Sequence, residues 1–226
     1  MKTIIDNIFG RIDDYDLQIP KLTLDLEDSL EKEALENGWA IYESKWYTSR
    51  MVRLNLNRYN KKSKQLKNYE FSFHERIEDL TEISRVFDIF VSLKNLNPLY
   101  DITLDKDRSS WMLVHWDGEL VAFTKFINYD GEMESQFTAW DYSDPKASIG
   151  TRIVEHEISV ARSKGLEYLY IGPGYGDVAI YKSKFDGFEW WTGREWSTDK
   201  DKYNELCNRD MTINTLSDLS KLILEK

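Results

Sequence analysis

Residues 148–171 have the sequence SIGTRIVEHEISVARSKGLEYLYI and lie at the centre of the segment, residues 111–196, that decides the fold. Before this centre, extended runs at 111–116 and 120–127 meet at Asp117-Gly118. Such a pair is typical of a primed hairpin turn, because both turn positions need positive φ. A third extended run follows at 132–142. We therefore expect three consecutive strands, the first two of them joined in a tight hairpin.

The quoted residues themselves predict a helix followed by a buried strand. The residues that recur on one side at helical spacing are Ile153, Val154, Glu157, Ile158 and Ala161. Gly165 ends the helix, and residues 166–171 predict the strand. This order of elements resembles the acyltransferase core of the N-acetyltransferase (GNAT) type. The expected fold class is therefore α/β (α+β), a GNAT-like mixed and mostly antiparallel sheet flanked by helices, with a smaller N-terminal α/β part.

The turn before the helix is a candidate phosphate-binding site. Ser148, Gly150, Thr151 and Arg152 stand at the predicted helix start. Unpaired backbone N–H groups and the positive end of the helix dipole attract anions there. An ordinary Ser or Thr helix cap explains the same residues. Both interpretations stay open.

Composition and length narrow the class of protein. A chain of 226 residues can bury a substantial core, and its longest apolar runs are far too short to span a membrane. Asp6 comes too early for a signal peptide, so we expect a cytoplasmic protein without a membrane partner. Cys207 is the one cysteine, and the three histidines are scattered. Neither pattern indicates a metal site or an internal disulfide.

Charge is distributed unevenly along the chain. The net charge is −10, which argues against general nucleic-acid affinity. Residues 45–67, however, contain no acid and carry the cations Lys45, Arg50, Arg53, Arg58, Lys61, Lys62, Lys64 and Lys67. A local basic surface on an acidic body directs a polyanion to one place. A solvated basic edge without a ligand is the alternative.

The N-terminal half predicts a second group of elements. A helix ends at Asn37-Gly38, strands follow at 39–47 and 50–56, and a core-facing helix spans 77–95. Residues 101–110 are charged and rich in turn formers. The expected boundary therefore separates an N-terminal part, residues 1–105, from a transferase-like core with a C-terminal helix, residues 106–226.

Short matches in both halves carry a more specific resemblance. They include Glu36-Asn37-Gly38-Trp39, residues 51–56, the basic run from Lys61, Ser148-Ile149-Gly150-Thr151, residues 165–172 and Tyr181-Lys182-Ser183-Lys184-Phe185. In this order they resemble the aminoacyl-tRNA–protein transferases, the arginyltransferases and bacterial leucyltransferases that extend protein N-termini. Thr48 and Ser49 stand where that family has a cysteine pair, so a metal or cluster is not expected. Asp186-Gly187-Phe188 replaces a family proline.

The resemblance implies an amide-forming reaction. An amine of a protein N-terminus, a peptide or a small molecule attacks the ester that joins an amino acid to its tRNA. Because the aminoacyl-tRNA donor is already activated, the protein mainly positions the reactants, removes one proton and stabilises the oxyanion. No cofactor, nucleophilic serine or cysteine, or metal is required.

Several side chains are candidates for these tasks. Glu134 is the preferred base, because Glu132, Glu134 and Gln136 alternate onto one face of the predicted strand. The reserve and accessory candidates are Asp141 as second carboxylate, Tyr170 as donor to the carbonyl oxygen, and Lys182 as partner of a phosphate or of developing charge. A solvent-facing strand, a buried tyrosine and a surface lysine explain the same residues without catalysis.

Two other functions remain open. In an acetyl-CoA-type N-acyltransferase the turn at 148–152 would bind pyrophosphate, although Ile149 fills a position often kept small. The second alternative function is that of a non-catalytic binding protein with the same fold, because fold alone does not establish activity. The basic stretch favours the tRNA-dependent reaction, since an acceptor stem uses many cations and coenzyme A few.

Overall fold

The computed structural model describes residues 8–12, 15–19, 22–42, 45–61, 67–94, 101–104, 106–141 and 149–224. Its strands are β1 (Ile8–Ile12), β2 (Tyr15–Ile19), β3 (Thr23–Leu24), β4 (Trp39–Tyr42), β5 (Lys45–Thr48), β6 (Met51–Asn55), β7 (Tyr69–His74), β8 (Ser109–Trp116), β9 (Glu119–Tyr129), β10 (Glu132–Trp140), β11 (Tyr168–Pro173), β12 (Phe188–Trp191) and β13 (Trp196–Ser197). Its α-helices are α1 (Asp28–Glu36), α2 (Thr81–Lys94), α3 (Ile149–Ser163), α4 (Lys200–Asp210) and α5 (Leu216–Leu224). Within the described ranges, none of the helices has the length and apolar character needed to cross a membrane.

The chain forms two compact units. The central unit is Asn60–Leu169, and the terminal unit combines Met1–Tyr59 with Tyr170–Lys226. This division differs from the expected boundary near residue 105. The reason is that β6, from the first half of the chain, pairs with β12, from its last quarter.

The central unit contains a sheet with the strand order β10-β9-β8-β7, and its neighbouring strands are antiparallel. The hairpin between β8 and β9 turns at Asp117 (φ 49°) and Gly118 (φ 87°), so the predicted primed turn is confirmed. Asp130 and Gly131 also have positive φ, and they turn the chain between β9 and β10. The three predicted strands are therefore confirmed, with ends that differ by a few residues.

Helices cover both faces of this sheet. Phe87 and Phe90 of α2 pack with Phe123 of β9 in one apolar cluster. The next residue of β9, Thr124, instead donates to Glu157 of α3 at 2.7 Å. Because successive strand residues point to opposite faces, α2 and α3 lie on opposite sides of β9. A mostly antiparallel sheet flanked by helices is thus the observed architecture, and the predicted fold class is confirmed.

The terminal unit contains strands in the order β13-β12-β6-β11 and a separate three-stranded sheet, β3-β5-β4. At its start β1 and β2 form an antiparallel hairpin, and Ile8 and Ile12 pack with Ile213 and Leu219. From its sequence, the stretch at residues 1–19 is expected to be an acidic, partly helical lead-in. In its described residues, 8–12 and 15–19, this expectation is wrong, because both segments are strands. The single strand expected at 39–47 is also wrong, because β4 and β5 are two strands of one antiparallel pair.

Candidate active site

Glu134, the preferred base, is a buried carboxylate of the central unit. It lies on β10 with 3% of its surface exposed, and the phenol of Tyr129 donates to its Oε2 at 3.0 Å. The guanidinium of Arg108 lies 5.5 Å from the centre of the Tyr129 ring. The hydrogen bond from Tyr129 orients this carboxylate. The role of Glu134 as a general base stays a prediction.

A β-bulge changes the neighbours that the sequence predicts for Glu134. The register shifts between Ser135 and Phe137, so Gln136 is the extra residue. Glu134 is opposite Ile127, and Phe137 is opposite Lys125, two residues away on β9. The face that carries Glu134 therefore continues with Phe137. The regular alternation expected from Glu134 to Gln136 is thus interrupted, because a bulge offsets the alternation by one residue.

The other side chains of this strand region are placed differently. Gln136 is half-buried, and so is Asp141, which follows β10 and whose backbone N–H donates to the carbonyl of Val121 at 2.8 Å. A second buried carboxylate belongs to Glu157, whose Oε1 accepts from Thr124 at 2.7 Å and from Thr138 at 3.3 Å. It lies on the α3 side of the sheet. The sequence indicated that Glu157 faces inward, but it did not reveal these threonine partners.

The start of α3 has a structural explanation. A Cβ on Gly150 would lie 3.2 Å from Cη2 of Trp140, so the absence of a side chain lets the helix approach the indole closely. Thr151 is exposed, and Nη1 of Arg152 pairs with Oε2 of Glu155 at 2.7 Å. Ser148 lies outside the described residues. The predicted phosphate-binding role of this turn stays a prediction.

Lys182 and Tyr170 are buried in the terminal unit. The Lys182 ammonium donates to the carbonyls of Ile171, Gly172 and Pro173 at 2.6, 3.2 and 2.8 Å. These three bonds use the donors of the ammonium to hold the end of β11. Tyr170 is fully buried, and its ring lies edge-on to Trp196 with a centroid distance of 5.9 Å. Lys182 therefore acts on backbone oxygens in this structure, not on a surface ligand.

Arg50 is not part of the predicted basic surface, because it is buried and paired with a carboxylate. It is 1% exposed, and its Nη1 and Nη2 donate to the Asp210 carboxylate at 2.8 and 3.2 Å. Burial alone would lower the pKa of Arg50, but the hydrogen bond and charge of Asp210 outweigh burial and raise it. The assignment of Arg50 to a tRNA surface is therefore wrong: a paired guanidinium in the core cannot reach a phosphate.

The Arg50 pair belongs to a cluster around the glycine loop after β11. Nη1 of Arg50 donates to the Gly174 carbonyl at 3.1 Å, and the Gly176 N–H donates to Asp210 at 3.0 Å. Burial raises the pKa of Cys207 beside this cluster, which keeps the thiol protonated. The only cysteine of the chain is therefore a core residue and not a nucleophile.

Arg53 and Arg58 share one carboxylate. Arg53 and Glu189 are opposite each other on β6 and β12, and Nε of Arg53 donates to Oε2 of Glu189 at 2.8 Å. The Arg53 guanidinium also lies 4.0 Å from the ring centre of Trp196. Arg58 pairs more loosely with Glu189, at 3.4 Å, and its side chain is 61% exposed. Arg58 therefore stays accessible to an anion, whereas Arg53 is largely committed to its neighbours.

Of the remaining predicted cations, Lys61 and Lys67 are exposed. Lys62 and Lys64 lie outside the described residues. Sequence reasoning did not connect Arg50 with Asp210 or Arg53 with Glu189, the acids that neutralise these two arginines. Both acids are more than 130 positions away along the chain, so no local signal connects them with the basic stretch. Within the described ranges, no three His, Cys, Asp or Glu side chains are grouped as a metal site requires.

Comparison with known proteins gives a partial match in sequence. No family model matches the chain. The aspartate/glutamate leucyltransferase of Ruegeria sp. (strain TM1040) is 43% identical over 60 residues, which cover 25% of this chain and 22% of that enzyme. Less than a quarter of the relative's length is therefore matched. Over this segment, the resemblance to the aminoacyl-tRNA–protein transferases is confirmed.

Solved structures match at much lower sequence identity. The C-terminal domain of a putative lysylphosphatidylglycerol synthetase from Agrobacterium fabrum is 16% identical, with a TM-score of 0.47, over 70% of this chain and 55% of that one. A GCN5-related N-acetyltransferase from Kribbella flavida is 13% identical, with a TM-score of 0.42, and the match covers 68% of this chain and 57% of that one. FemX is 10% identical, with a TM-score of 0.49, and the match covers 91% of this chain and 74% of that one.

Proposed function

We propose that this protein is an aminoacyl-tRNA-dependent aminoacyltransferase. It moves an amino acid from tRNA to an amine of a protein N-terminus, a peptide or a small molecule, and forms an amide bond. The observation that carries the proposal is the 43% identity over 60 residues to an aspartate/glutamate leucyltransferase. The reaction needs no cofactor, since the ester of the aminoacyl-tRNA is itself the activated donor.

Glu134 supplies the proton transfer that this chemistry requires. The attacking amine must lose a proton as it adds to the ester carbonyl, and a positioned carboxylate can accept that proton. The hydrogen bond from Tyr129 at 3.0 Å supports this role, because it fixes the orientation of the Glu134 carboxylate. The leaving group is the ribose hydroxyl of the tRNA end, and it takes up a proton when the ester bond breaks.

The described cations support binding of the tRNA part of the donor. Lys61, Lys67 and Arg58 are exposed, and all three belong to the acid-free stretch at residues 45–67. Contacts between lysine or arginine and phosphate release counterions from the nucleic acid, which is the main source of such affinity. An acidic protein with one such stretch repels RNA elsewhere on its surface.

A donor competition experiment tests the proposal. The purified full chain is incubated with a pool of charged tRNAs, with acetyl-CoA and with an amine acceptor, and the acyl group remaining on each donor is followed. We expect acceptor-dependent loss of the aminoacyl group from tRNA and no loss from acetyl-CoA.

The other outcomes have defined meanings. Acyl loss from acetyl-CoA alone would contradict the proposal and assign the protein to the acetyl-CoA-type N-acyltransferases. Loss from neither donor, across the pool and a range of amines, would favour a non-catalytic binding protein. Reactions without the protein, and reactions with an acceptor whose amine is blocked, serve as controls for hydrolysis of the donors.

A further inference from the structure

The terminal unit contains an open pocket that the predicted site does not include. Its volume is about 560 Å³, within the range of pockets that bind small ligands. Among the residues that line it are Leu22, Leu24, Leu30, Glu33, Trp39 and Trp191. Among its described residues, the lining therefore combines aliphatic and aromatic walls with one carboxylate.

The aliphatic wall is unusually accessible for residues of this type. Leu22, Leu24 and Leu30 are 57%, 47% and 44% exposed. The wall is nevertheless held in place, because Leu22 N donates to Oγ1 of Thr48 at 3.1 Å and Thr48 N donates to the Leu22 carbonyl, also at 3.1 Å. Exposed leucines on a fixed backbone form a preformed apolar surface, which is the usual property of a binding pocket.

The aromatic wall depends on a glycine. Gly38 follows α1 with φ +73°, and a Cβ on it would lie 2.0 Å from Cγ of Trp191. Any side chain at this position would therefore displace the indole. The Asn37-Gly38 pair thus ends the helix and also gives Trp191 the space to form one side of the pocket.

Glu33 sets the charge of the pocket. Its side chain is exposed, and within the described part of the chain it forms no ion pair, while its backbone carbonyl accepts from Asn37 Nδ2 at 2.8 Å. Among the described residues of the lining there is no lysine or arginine. A pocket with apolar walls and one unneutralised carboxylate is complementary to an apolar group beside a single positive charge.

We propose that this pocket binds the N-terminal residue of a peptide whose first side chain is apolar. Glu33 binds the α-ammonium group, and the leucine and tryptophan walls bury the side chain. A free amino acid fits less well, because its carboxylate would have no cationic partner among the described residues of the lining. An aminoacyl-tRNA end fits less well too, because it brings phosphates close to Glu33. The proposal rests on the terminal unit alone and does not depend on the transferase reaction.

Direct binding to the full chain tests this assignment. Three tripeptide amides are titrated in a calorimeter: one begins with leucine, one with acetylated leucine and one with aspartate. Indole fluorescence gives a second signal, since Trp39 and Trp191 line the pocket. We expect the free leucine-first peptide to bind up to about fivefold more tightly than the acetylated one, as the loss of one charge pair near solvent implies. Equal affinities for all three peptides would overturn the proposal.

Matched variants locate the binding. Glu33→Gln should weaken binding of the leucine-first peptide up to about fivefold, whereas substitution of Glu36, an exposed glutamate of the same helix, by glutamine should not. Leu30→Lys should weaken binding of this peptide further, because it places a cation in the pocket. Leu93→Lys, at an exposed position of the central unit, should have no effect on binding. If either control weakens binding as much as its partner, the pocket is not the site.

A donor analogue separates the two sources of an apolar α-amine. A cytidine–adenosine dinucleotide carrying a leucyl group in amide linkage is titrated in place of the peptide, so that the analogue includes a phosphate of the donor end. Weaker binding than that of the leucine-first peptide supports a peptide site. Tighter binding that is lost in Glu33→Gln would show that the pocket holds a donor end, which would overturn the proposal while leaving the proposed reaction intact.

Discussion

Single residues decide whether the central unit is catalytic, and Glu134 is the most informative of them. Glu134→Gln removes the proton acceptor but keeps a side-chain oxygen that can accept from Tyr129. We therefore expect the rate of aminoacyl transfer to fall about 100-fold or more, with little change in substrate binding. Single-turnover kinetics with charged tRNA measure this. Glu119→Gln, on the exposed start of β9, is the control. Wild-type turnover in Glu134→Gln would rule out the base assignment.

His156 provides a test of stability as a function of pH. It is stacked on Phe71 with 3.6 Å between ring centres, and burial lowers its pKa below 6.5, although Glu155 opposes the shift. Between the folded and unfolded pKa values the unfolded chain binds more protons, so stability falls as pH drops below 6.5. Above pH 6.5 this contribution is fully present.

The corresponding measurement is urea unfolding at pH 7.5 and pH 5.5. His156→Phe keeps a ring on Phe71 but cannot bind a proton, so part of the stability loss at low pH should disappear. His115→Gln is the control, because His115 lies on β8 and outside this stack. A pH dependence that is identical in wild type and His156→Phe would contradict the prediction.

For single residues, the sequence predicted the secondary-structure element of a side chain better than its interaction partners. Alternation placed Glu134 on the right strand, but the bulge between Ser135 and Phe137 has no local signature, so the interruption of the alternation was not predicted. Arg50 looked like a surface cation because the nearby sequence has no acid. Its partner Asp210 is 160 residues away, and only the fold brings the two together.

At the scale of elements, local patterns succeeded where the element is long or its turn is specific. The strand alternation and the Asp117-Gly118 turn predicted β8 and β9, and helical spacing predicted α2 and α3. The short strands β1 and β2 were missed, because five residues carry too little periodicity to separate a strand from an irregular lead-in. They are stabilised instead by contacts with Ile213 and Leu219 near the other end of the chain.

Gly187 shows how two distant elements depend on one backbone position. It has φ +73°, a Cβ on it would lie 2.2 Å from the Asn55 carbonyl oxygen, and its own carbonyl accepts from Asn55 N at 2.8 Å. Gly187→Ala should therefore destabilise the protein by about 3 kcal/mol or more, from backbone strain plus displacement of β6. Equilibrium unfolding in urea measures the loss.

Gly165 is the matched control for this prediction. It has a similar φ, +75°, but a Cβ would meet no atom within 4 Å. Gly165→Ala should therefore cost only the strain of a left-handed alanine, about 1 kcal/mol. Equal losses in the two variants would show that the close approach between Gly187 and Asn55 contributes nothing.

At the scale of the whole molecule, the chain builds its terminal unit from both ends. Sequence patterns divide a chain into consecutive parts, so they predicted a boundary near residue 105. The observed units instead meet in the chain at Tyr59–Asn60 and Leu169–Tyr170. The basic stretch at residues 45–67 therefore belongs to both units. The role of this stretch in tRNA binding therefore has to be tested by changing its charge, and it cannot be inferred from a domain boundary.

The salt dependence of tRNA affinity is the test that suits a protein with a net charge of −10. In the double variant Lys61→Glu with Lys67→Glu, two exposed cations are reversed, so tRNA should bind more weakly, and the slope of log affinity against log salt should become shallower by about two.

The control variant, Lys184→Glu, changes the net charge by half as much at an exposed position outside the stretch. If binding depended only on net charge, Lys184→Glu would produce half of the effect. If it depends on phosphate contacts made by residues 45–67, Lys184→Glu should leave the slope unchanged. Filter binding over a series of salt concentrations distinguishes the two cases, and a slope unaffected by the double variant would remove the tRNA surface from the proposal.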